Sequence, residues 1–198
     1  MRRFCLGILS WLFFAFGLFS QTAEFRDEPL YTDLKIAMEH PEQVKRLALN
    51  RKKYKRIPKD VFNFPNLWEL DLSKNKLSAL PPEISKLKKL RVLNLERNAL
   101  ESLPKELCDL SKLEVLNLRK NELYQLPDCL TELSRLNYLI VSSNPIFKLP
   151  KSINGMVQLM EFDARSTDIH SDAIKSMQQA LPGSRILWDS DCNCGPNH

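Results

Sequence analysis

Apolar positions in the middle of the chain recur in one fixed arrangement, separated by one or two residues that are mostly polar. The first complete copy reads Leu67-x-x-Leu70-x-Leu72-x-x-Asn75-x-Leu77-x-x-Leu80-Pro81. Further copies begin at Leu90, Leu113 and Leu136, each 23 residues after the one before. A fixed period of about 20–29 residues is typical of a solenoid of stacked repeats.

The spacing inside one copy predicts a short strand followed by a short helical turn. Counted from the first leucine, positions 4 and 6 are apolar and alternate with other residues, as in a strand with one buried face. Pro81, at position 15, fixes φ where the chain turns back, and Ile84 and Leu87 suit a short helix or 3₁₀ turn. Stacked copies therefore predict an α/β solenoid with a parallel concave sheet and convex helices or 3₁₀ turns.

An asparagine stands at position 9 of every complete copy, where the strand ends. A side-chain amide carries donors and an acceptor, so a buried asparagine can pair with backbone N–H and C=O groups that lack partners. We therefore interpret these asparagines as structural. They are Asn75, Asn98, Asn121 and Asn144.

The arrangement decays at both ends, as expected for repeats that cap a solenoid. A degenerate copy starts at Val44 and has Lys52 in place of the asparagine. Another starts at Leu159 and has Thr167 in that place.

Helical caps are predicted outside these degenerate copies. The segment Pro29 to Gln43 has apolar residues at helical spacing, with Thr32 or Asp33 able to cap the start of one short amphipathic helix. Residues 171–181 predict a last helix, and residues 185–188 predict a final strand or edge cover. We expect both caps to shield the open ends of the leucine layer.

The first twenty residues have the pattern of a secretory signal peptide. Arg2 and Arg3 supply a basic start, Phe4 to Phe19 is an uncharged apolar run, and Ser20 is a small residue at the cleavage point. The run is shorter than the ~20 residues of a membrane-spanning helix, although an uncleaved anchor stays an alternative. The predicted organisation is a signal peptide at 1–20, an N-terminal capping segment at 21–43, a repeat domain at 44–188 and a flexible tail at 189–198.

Charge and composition exclude several classes of function. A net charge of +5, from 29 basic and 24 acidic residues, is mild and gives no indication of nucleic-acid binding. His40, His170 and His198 lie in different regions and do not converge with a serine or cysteine nucleophile. We expect no enzymatic activity, no cofactor and no small-molecule substrate.

Four cysteines follow the predicted cleavage point. Cys108 and Cys129 fall on neighbouring convex turns, where a disulfide and two free thiols are equally compatible with the sequence. Cys192-x-Cys194 with His198 could supply three zinc ligands, but a structural zinc site needs four. Loose or disulfide-bonded cysteines are the favoured interpretation of the tail, and no metal site is assigned.

From Leu67 to Ile153 the chain resembles the bacterial 23-residue leucine-rich repeat family, whose motif is L-x-x-L-x-L-x-x-N-x-L-x-x-L-P. The lead from Leu34 to Val44 resembles that of exported, leptospiral-type members. The resemblance implies a surface-exposed or secreted protein that engages host or envelope proteins.

Positions 3, 5, 7 and 8 face away from the leucine core. Several of them are apolar in the central repeats, although the core does not require apolar residues there. The sequence therefore predicts a continuous exposed apolar patch, which is typical of protein interfaces. The alternative is that β-branched and aromatic residues occur here only because they favour strands. The predicted site consists of an apolar centre of Val92, Val115, Tyr138 and Ile140, orienting hydrogen-bonders Asn94 and Asn117, and a charged rim of Arg97, Arg119 and Lys120.

Two further features have two interpretations each. Trp68, at position 2, either anchors a partner at the rim or packs against the neighbouring loop. The basic residues at position 8, which are Arg51, Lys74, Arg97 and Lys120, either attract an acidic partner or form a solvated flank.

We therefore expect an exported, single-domain leucine-rich repeat protein whose concave face binds another protein, of a host or of the envelope. The alternative is a structural envelope protein that associates with itself through its strand edges or its convex side.

Overall fold

The computed structural model describes residues 28–189, which form one open parallel sheet backed by short helices. Eight strands lie side by side in chain order, and every neighbouring pair is parallel. They are β1 Leu30–Tyr31, β2 Arg46–Ala48, β3 Glu69–Asp71, β4 Val92–Asn94, β5 Val115–Asn117, β6 Tyr138–Ile140, β7 Glu161–Asp163 and β8 Arg185–Leu187. The predicted solenoid with a parallel concave sheet is confirmed. The predicted signal peptide and most of the tail, with Cys192 and Cys194, lie outside the described residues.

Short 3₁₀ helices form the convex side, and four of them follow directly after a proline. The proline precedes η1 to η4 because its fixed φ suits the entry of the chain into a helical turn. These helices are η1 Lys59–Asn63, η2 Pro82–Lys86, η3 Lys105–Asp109, η4 Asp128–Glu132 and η5 Ile153–Gly155. The sequence predicted either helices or 3₁₀ turns, and the structure has 3₁₀ turns.

The core is a stack of leucine layers between the sheet and the convex turns. Because the strands pair in register at intervals of one repeat, Leu70, Leu93, Leu116 and Leu139 form one continuous buried row. The side chain of Phe162 extends this row into the last repeat. Each buried leucine contributes about 1.5–3 kcal/mol relative to an exposed one, and each is buried by its neighbours in the adjacent repeats.

Both ends of the leucine stack are covered by cap elements. At the N-terminal end, helix α1 spans only Leu34–Ala37, and the Asp33 carboxylate accepts hydrogen bonds from the backbone N–H of Lys35 and Ile36. The helix begins at the predicted Asp33 cap but ends at Ala37, earlier than predicted, and Leu30–Tyr31 in the same segment extends the sheet by pairing with β2. At the C-terminal end, α2 Ser171–Ala180 buries Ile174 and Met177 against the last repeat.

A disulfide joins Cys108 on η3 to Cys129 on η4. Their Cα atoms lie 5.9 Å apart, within the usual range for a disulfide. The bond closes a loop of 21 residues in sequence separation, for which chain entropy gives a stabilisation of about 3 kcal/mol. Of the two interpretations that the sequence left open, the structure has the disulfide.

The asparagines of position 9 hold the ends of the strands together across repeats. The Asn121 amide donates to the backbone C=O of Leu95 and Leu118, at 3.0 and 2.8 Å, and its oxygen accepts the N–H of Leu100 at 3.1 Å. Asn75, Asn98 and Asn144 make the same three bonds in their own repeats. In the last repeat Thr167 keeps one of them, to the C=O of Ala164 at 2.7 Å. The predicted structural role is confirmed.

Asn121→Leu should lower the free energy of unfolding by about 3 kcal/mol or more. The leucine fits the apolar surroundings in size, but it leaves two carbonyls and one N–H buried without partners, each at a cost of about 1–3 kcal/mol. Urea unfolding measures the change. Asn63→Leu, at an exposed residue of η1, is the control and should change stability by less than about 0.5 kcal/mol. Equal effects in the two variants would contradict the structural role.

Candidate functional site

A second, smaller apolar cluster lies on the concave face, separate from the leucine core. Val92, Val115 and Ile140 form it, and Trp68 and Tyr138 pack against them. The register of the sheet brings these residues together, because Val115 pairs with Val92 on one side and with Tyr138 on the other. The structure therefore assembles the four apolar residues that the sequence predicted, and adds Trp68 to them.

The prediction that this patch is exposed is wrong for three of its four members. Val92, Val115 and Ile140 are only 4%, 3% and 8% exposed. Neighbouring strands lie about 4.8 Å apart, so a large side chain on one strand covers the smaller side chains beside it. The valines and Ile140 form the floor, and the half-buried rings of Trp68 and Tyr138 are the apolar groups presented to solvent.

Asn94 and Asn117, the predicted orienting hydrogen-bonders, also lie in the buried floor. Both are buried, and their side-chain oxygens accept the backbone N–H two residues further on, from Glu96 at 3.1 Å and from Arg119 at 3.0 Å. These bonds shape the end of each strand. The asparagine oxygens are therefore occupied, and only the amide nitrogens remain for other contacts.

The predicted basic residues lie beside this floor, just after the ends of β4 and β5. Arg97 is exposed, and its guanidinium lies 3.7 Å from the Glu96 carboxylate. Arg119 and Lys120 are half-buried, and neither forms an ion pair with any described residue. Position 8 has a positive φ in six successive repeats, with a φ of 58° at Arg97 and 56° at Lys120. This left-handed backbone, which was not predicted from the sequence, turns the chain away from the sheet.

Ion pairs occupy the concave face at both ends of the sheet. At the N-terminal end, Arg46 donates to the Glu69 carboxylate at 2.7 Å and lies 5.6 Å from the centre of the Trp68 ring. At the C-terminal end, the Arg165 guanidinium makes two bonds of 2.8 Å with Asp163. Sequence reasoning did not assign these pairs to the site, although residues one repeat apart at one position, such as Arg46 and Glu69, must be cross-strand neighbours.

The two acids at the C-terminal end titrate differently. Burial by itself raises the pKa of Asp163, but the hydrogen bonds and charge of Arg165, with the hydroxyl of Ser142, outweigh it and hold that pKa below its usual range. Burial raises the pKa of Glu161, and the charge of Arg185 opposes that rise without cancelling it. Asp163 is therefore firmly ionised at neutral pH.

Two family models match the chain over most of the repeats. The one described as a leucine-rich repeat region matches residues 83–182, and the one described as leucine rich repeat matches residues 42–100. The chain belongs to the leucine-rich repeat family. Repeat domains of this family are typically non-enzymatic modules for protein–protein interaction.

Solved structures give the same assignment. A leucine-rich repeat protein of Leptospira interrogans is 28% identical, with a TM-score of 0.65 over 76% of this chain and 45% of that one. The BIR2 ectodomain of Arabidopsis thaliana is 28% identical, with a TM-score of 0.51 over 58% of this chain and 62% of that one. The ectodomain of the receptor kinase SOBIR1 of the same plant is 26% identical, with a TM-score of 0.54 over 74% and 75%. This leucine-rich repeat protein thus resembles the leptospiral type, while spanning less than half of that neighbour's length. No curated protein matches the sequence.

Residues 28–189 have neither a membrane-spanning helix nor a cluster of metal ligands. No helix in this range is long and apolar enough to cross a membrane. The same residues contain no group of three or more His, Cys, Asp or Glu side chains placed to hold a metal ion.

Asp163→Asn should remove a contribution to stability that exists at neutral pH and disappears in acid. The folded pKa of Asp163 lies below its unfolded value of about 3.9, so the contribution is full above that value and is lost as the pH falls through the folded pKa. We expect the variant to have a lower Tm from about pH 5 to about pH 7, and the difference to shrink below about pH 4. Calorimetry across this range checks it, with the exposed Asp60→Asn as control. A Tm difference that stayed constant in acid would contradict this assignment.

Proposed function

We propose that this leucine-rich repeat protein is exported and binds another protein, of a host or of the cell envelope, through its concave face. The observation that carries the proposal is the apolar cluster of Val92, Val115 and Ile140 outside the leucine core. The core is complete without it, so stacking of the repeats does not explain it. We propose no enzymatic activity and no cofactor.

The arrangement of this face suits an interface. Protein interfaces combine a desolvated centre, rich in Trp, Tyr and Arg, with a polar surround. Here Trp68 and Tyr138 stand over the apolar floor, while Arg97, Arg119 and Lys120 lie beside it. The aromatic rings would supply most of the binding energy, and the cations would speed the approach of an acidic partner.

Export is supported by two separate observations. Residues 1–20 have the basic start and apolar run of a signal peptide. The disulfide between Cys108 and Cys129 is of a kind that persists in oxidising compartments and is rare in the cytosol.

Trp68→Ala/Tyr138→Ala should abolish binding without unfolding the chain. Both rings are only half-buried, and loss of two interface aromatics costs on the order of 2 kcal/mol or more each, which together weakens Kd by roughly 700-fold or more. Immobilised protein and variant would be screened against extracellular and envelope proteins, with circular dichroism to confirm folding.

Tyr124→Ala/Phe147→Ala is the matched control for that experiment. These aromatic residues are 53% and 60% exposed and lie away from the concave strands, so their removal should leave binding unchanged. A partner that needed Tyr124 and Phe147 but not the concave pair would place the function elsewhere on the solenoid.

Expression of the full sequence with its native N-terminus in a bacterium should yield an exported protein that starts near residue 21. Mass spectrometry of the purified chain would show the new N-terminus and, without reductant, Cys108 and Cys129 protected from alkylation. A chain that kept residues 1–20 and remained in the cytosol with both thiols free would contradict export.

A structural, self-associating role is the second candidate, and one observation favours it. Among the described residues, β8 pairs only with β7, so one side of β8 is an open edge that could pair with another chain. Sedimentation at several concentrations distinguishes the roles, since self-association through this edge would raise the mass with concentration.

A further inference from the structure

Two buried donors on the concave face have no acceptor. Within residues 28–189, neither the Nδ2 of Asn117 nor the Nε of Arg119 has a hydrogen-bond partner, although both atoms are buried. Asn117 is only 1% exposed. Buried polar groups in native proteins are nearly always paired, so each exception needs a physical explanation.

The same two positions are fully paired in the last repeat. Asp163 and Arg165 occupy positions 5 and 7, as Asn117 and Arg119 do two repeats earlier. There the Nε and Nη of Arg165 each donate to a carboxylate oxygen of Asp163, at 2.8 Å. Replacing that carboxylate by the amide of Asn117 removes the acceptor and leaves the arginine in place.

The neighbouring strand does not supply the acceptor either. At both ends of the sheet a residue at position 7 donates to an aspartate at position 5 of the next strand, from Asn50 to Asp71 at 3.0 Å and from Ser142 to Asp163 at 3.1 Å. In the centre, Arg119 has Ile140 at that place.

The nearest acidic side chain along the position 7 row is engaged elsewhere. Glu96 lies 3.7 Å from Arg97 and forms no ion pair with Arg119 within 4 Å. Lys74 and Lys120 likewise have no ion pair in the described part of the chain. Positions 7 and 8 of the two central repeats carry three cations, Arg97, Arg119 and Lys120, and one carboxylate, Glu96, and this excess of positive charge favours an anionic acceptor over a neutral one.

We infer that the concave face recognises an aspartate or glutamate side chain of its protein partner, whose carboxylate binds the half-buried Arg119 guanidinium beside the Asn117 amide. The partner's carboxylate supplies to Arg119 the negative charge that Asp163 supplies to Arg165, while the side chain of Asn117 keeps its own place. The rings of Trp68 and Tyr138 border the same floor, so the recognised residue is flanked by apolar partner side chains. This inference rests on the proposed function and names the partner's chemistry.

A direct test uses small probes and the side-chain N–H signals of Asn117 and Arg119 in NMR spectra of the protein. Titration with N-acetyl-aspartic acid amide should shift both signals saturably, with a Kd on the order of 10 mM as expected for a fragment with one charged anchor. N-acetyl-asparagine amide, which lacks the charge, should not. No saturable shift with the acidic probe, or an equal shift with the neutral one, overturns the inference.

A third probe distinguishes a side chain from a chain terminus. N-acetyl-alanine carries its only carboxylate at the C-terminus, and we expect it to bind at least several-fold more weakly than the aspartic acid amide. Equal or tighter binding of N-acetyl-alanine would overturn the assignment to an acidic side chain.

Asn117→Asp is the decisive variant, because aspartate already occupies the same position at Asp71 and Asp163 and the fold accepts it. The new carboxylate should pair with Arg119, move the Arg119 Nε–H signal toward that of Arg165, keep Tm from falling and eliminate probe binding. The exposed Asn63→Asp, with the same change in charge, should bind the probe like the unaltered protein. Unchanged probe binding by Asn117→Asp overturns the inference.

The partner found by screening separates this inference from the proposed function. A partner that loses binding with Trp68→Ala/Tyr138→Ala but not with Asn117→Asp would leave the concave-face function standing and overturn the carboxylate. A partner insensitive to the aromatic pair would overturn the function even where the acidic probe binds.

Discussion

The structure depends on the burial of each leucine layer by the next repeat. Within residues 28–189 no strand is longer than three residues and no 3₁₀ turn is longer than five, so none of these elements could be stable alone. The 23-residue period keeps the strands in register, and the register stacks Leu70, Leu93, Leu116 and Leu139 into one row. The asparagines complete this constraint, because each pairs the backbone of its own repeat with that of the preceding one.

Because the leucine stack fixes the backbone, the concave face can vary freely. Positions 3, 5 and 7 carry ion pairs at both ends of the sheet, Arg46 with Glu69 and Arg165 with Asp163. The centre carries an apolar floor instead, where the Nδ2 of Asn117 and the Nε of Arg119 have no acceptor among the described residues. At the ends of the sheet these charged side chains have counter-ions on the same face. In the centre, two donors have no acceptor among the described residues. The difference between the two lies in a few side chains on an unchanged backbone.

The cap elements cover the open ends of the leucine stack, and the disulfide links two turns on its convex side. At one end β8 pairs with β7 beside Phe162 and helix α2 packs against η5, and at the other end β1 pairs with β2 beside Leu47. The Cys108–Cys129 bond joins two neighbouring turns of the convex side, where the chain has only short 3₁₀ contacts. The disulfide thus adds stability on the side opposite to the candidate site.

The sequence by itself determined the fold. Each repeat makes the same contacts within itself and with its two neighbours, so a fixed period predicts a stack of equivalent repeats. It also determined which residues share the concave face, since positions 3 and 5 of successive repeats must be neighbours. Only the tertiary structure decided their exposure: Val92, Val115 and Ile140 are buried because Trp68, just before β3, and Tyr138, on β6, pack against them. The tertiary structure likewise decided the pairing of charges, as Arg165 finds a carboxylate and Arg119 does not. Burial and pairing depend on the packing of side chains from several repeats at once, and a one-dimensional pattern does not contain that information.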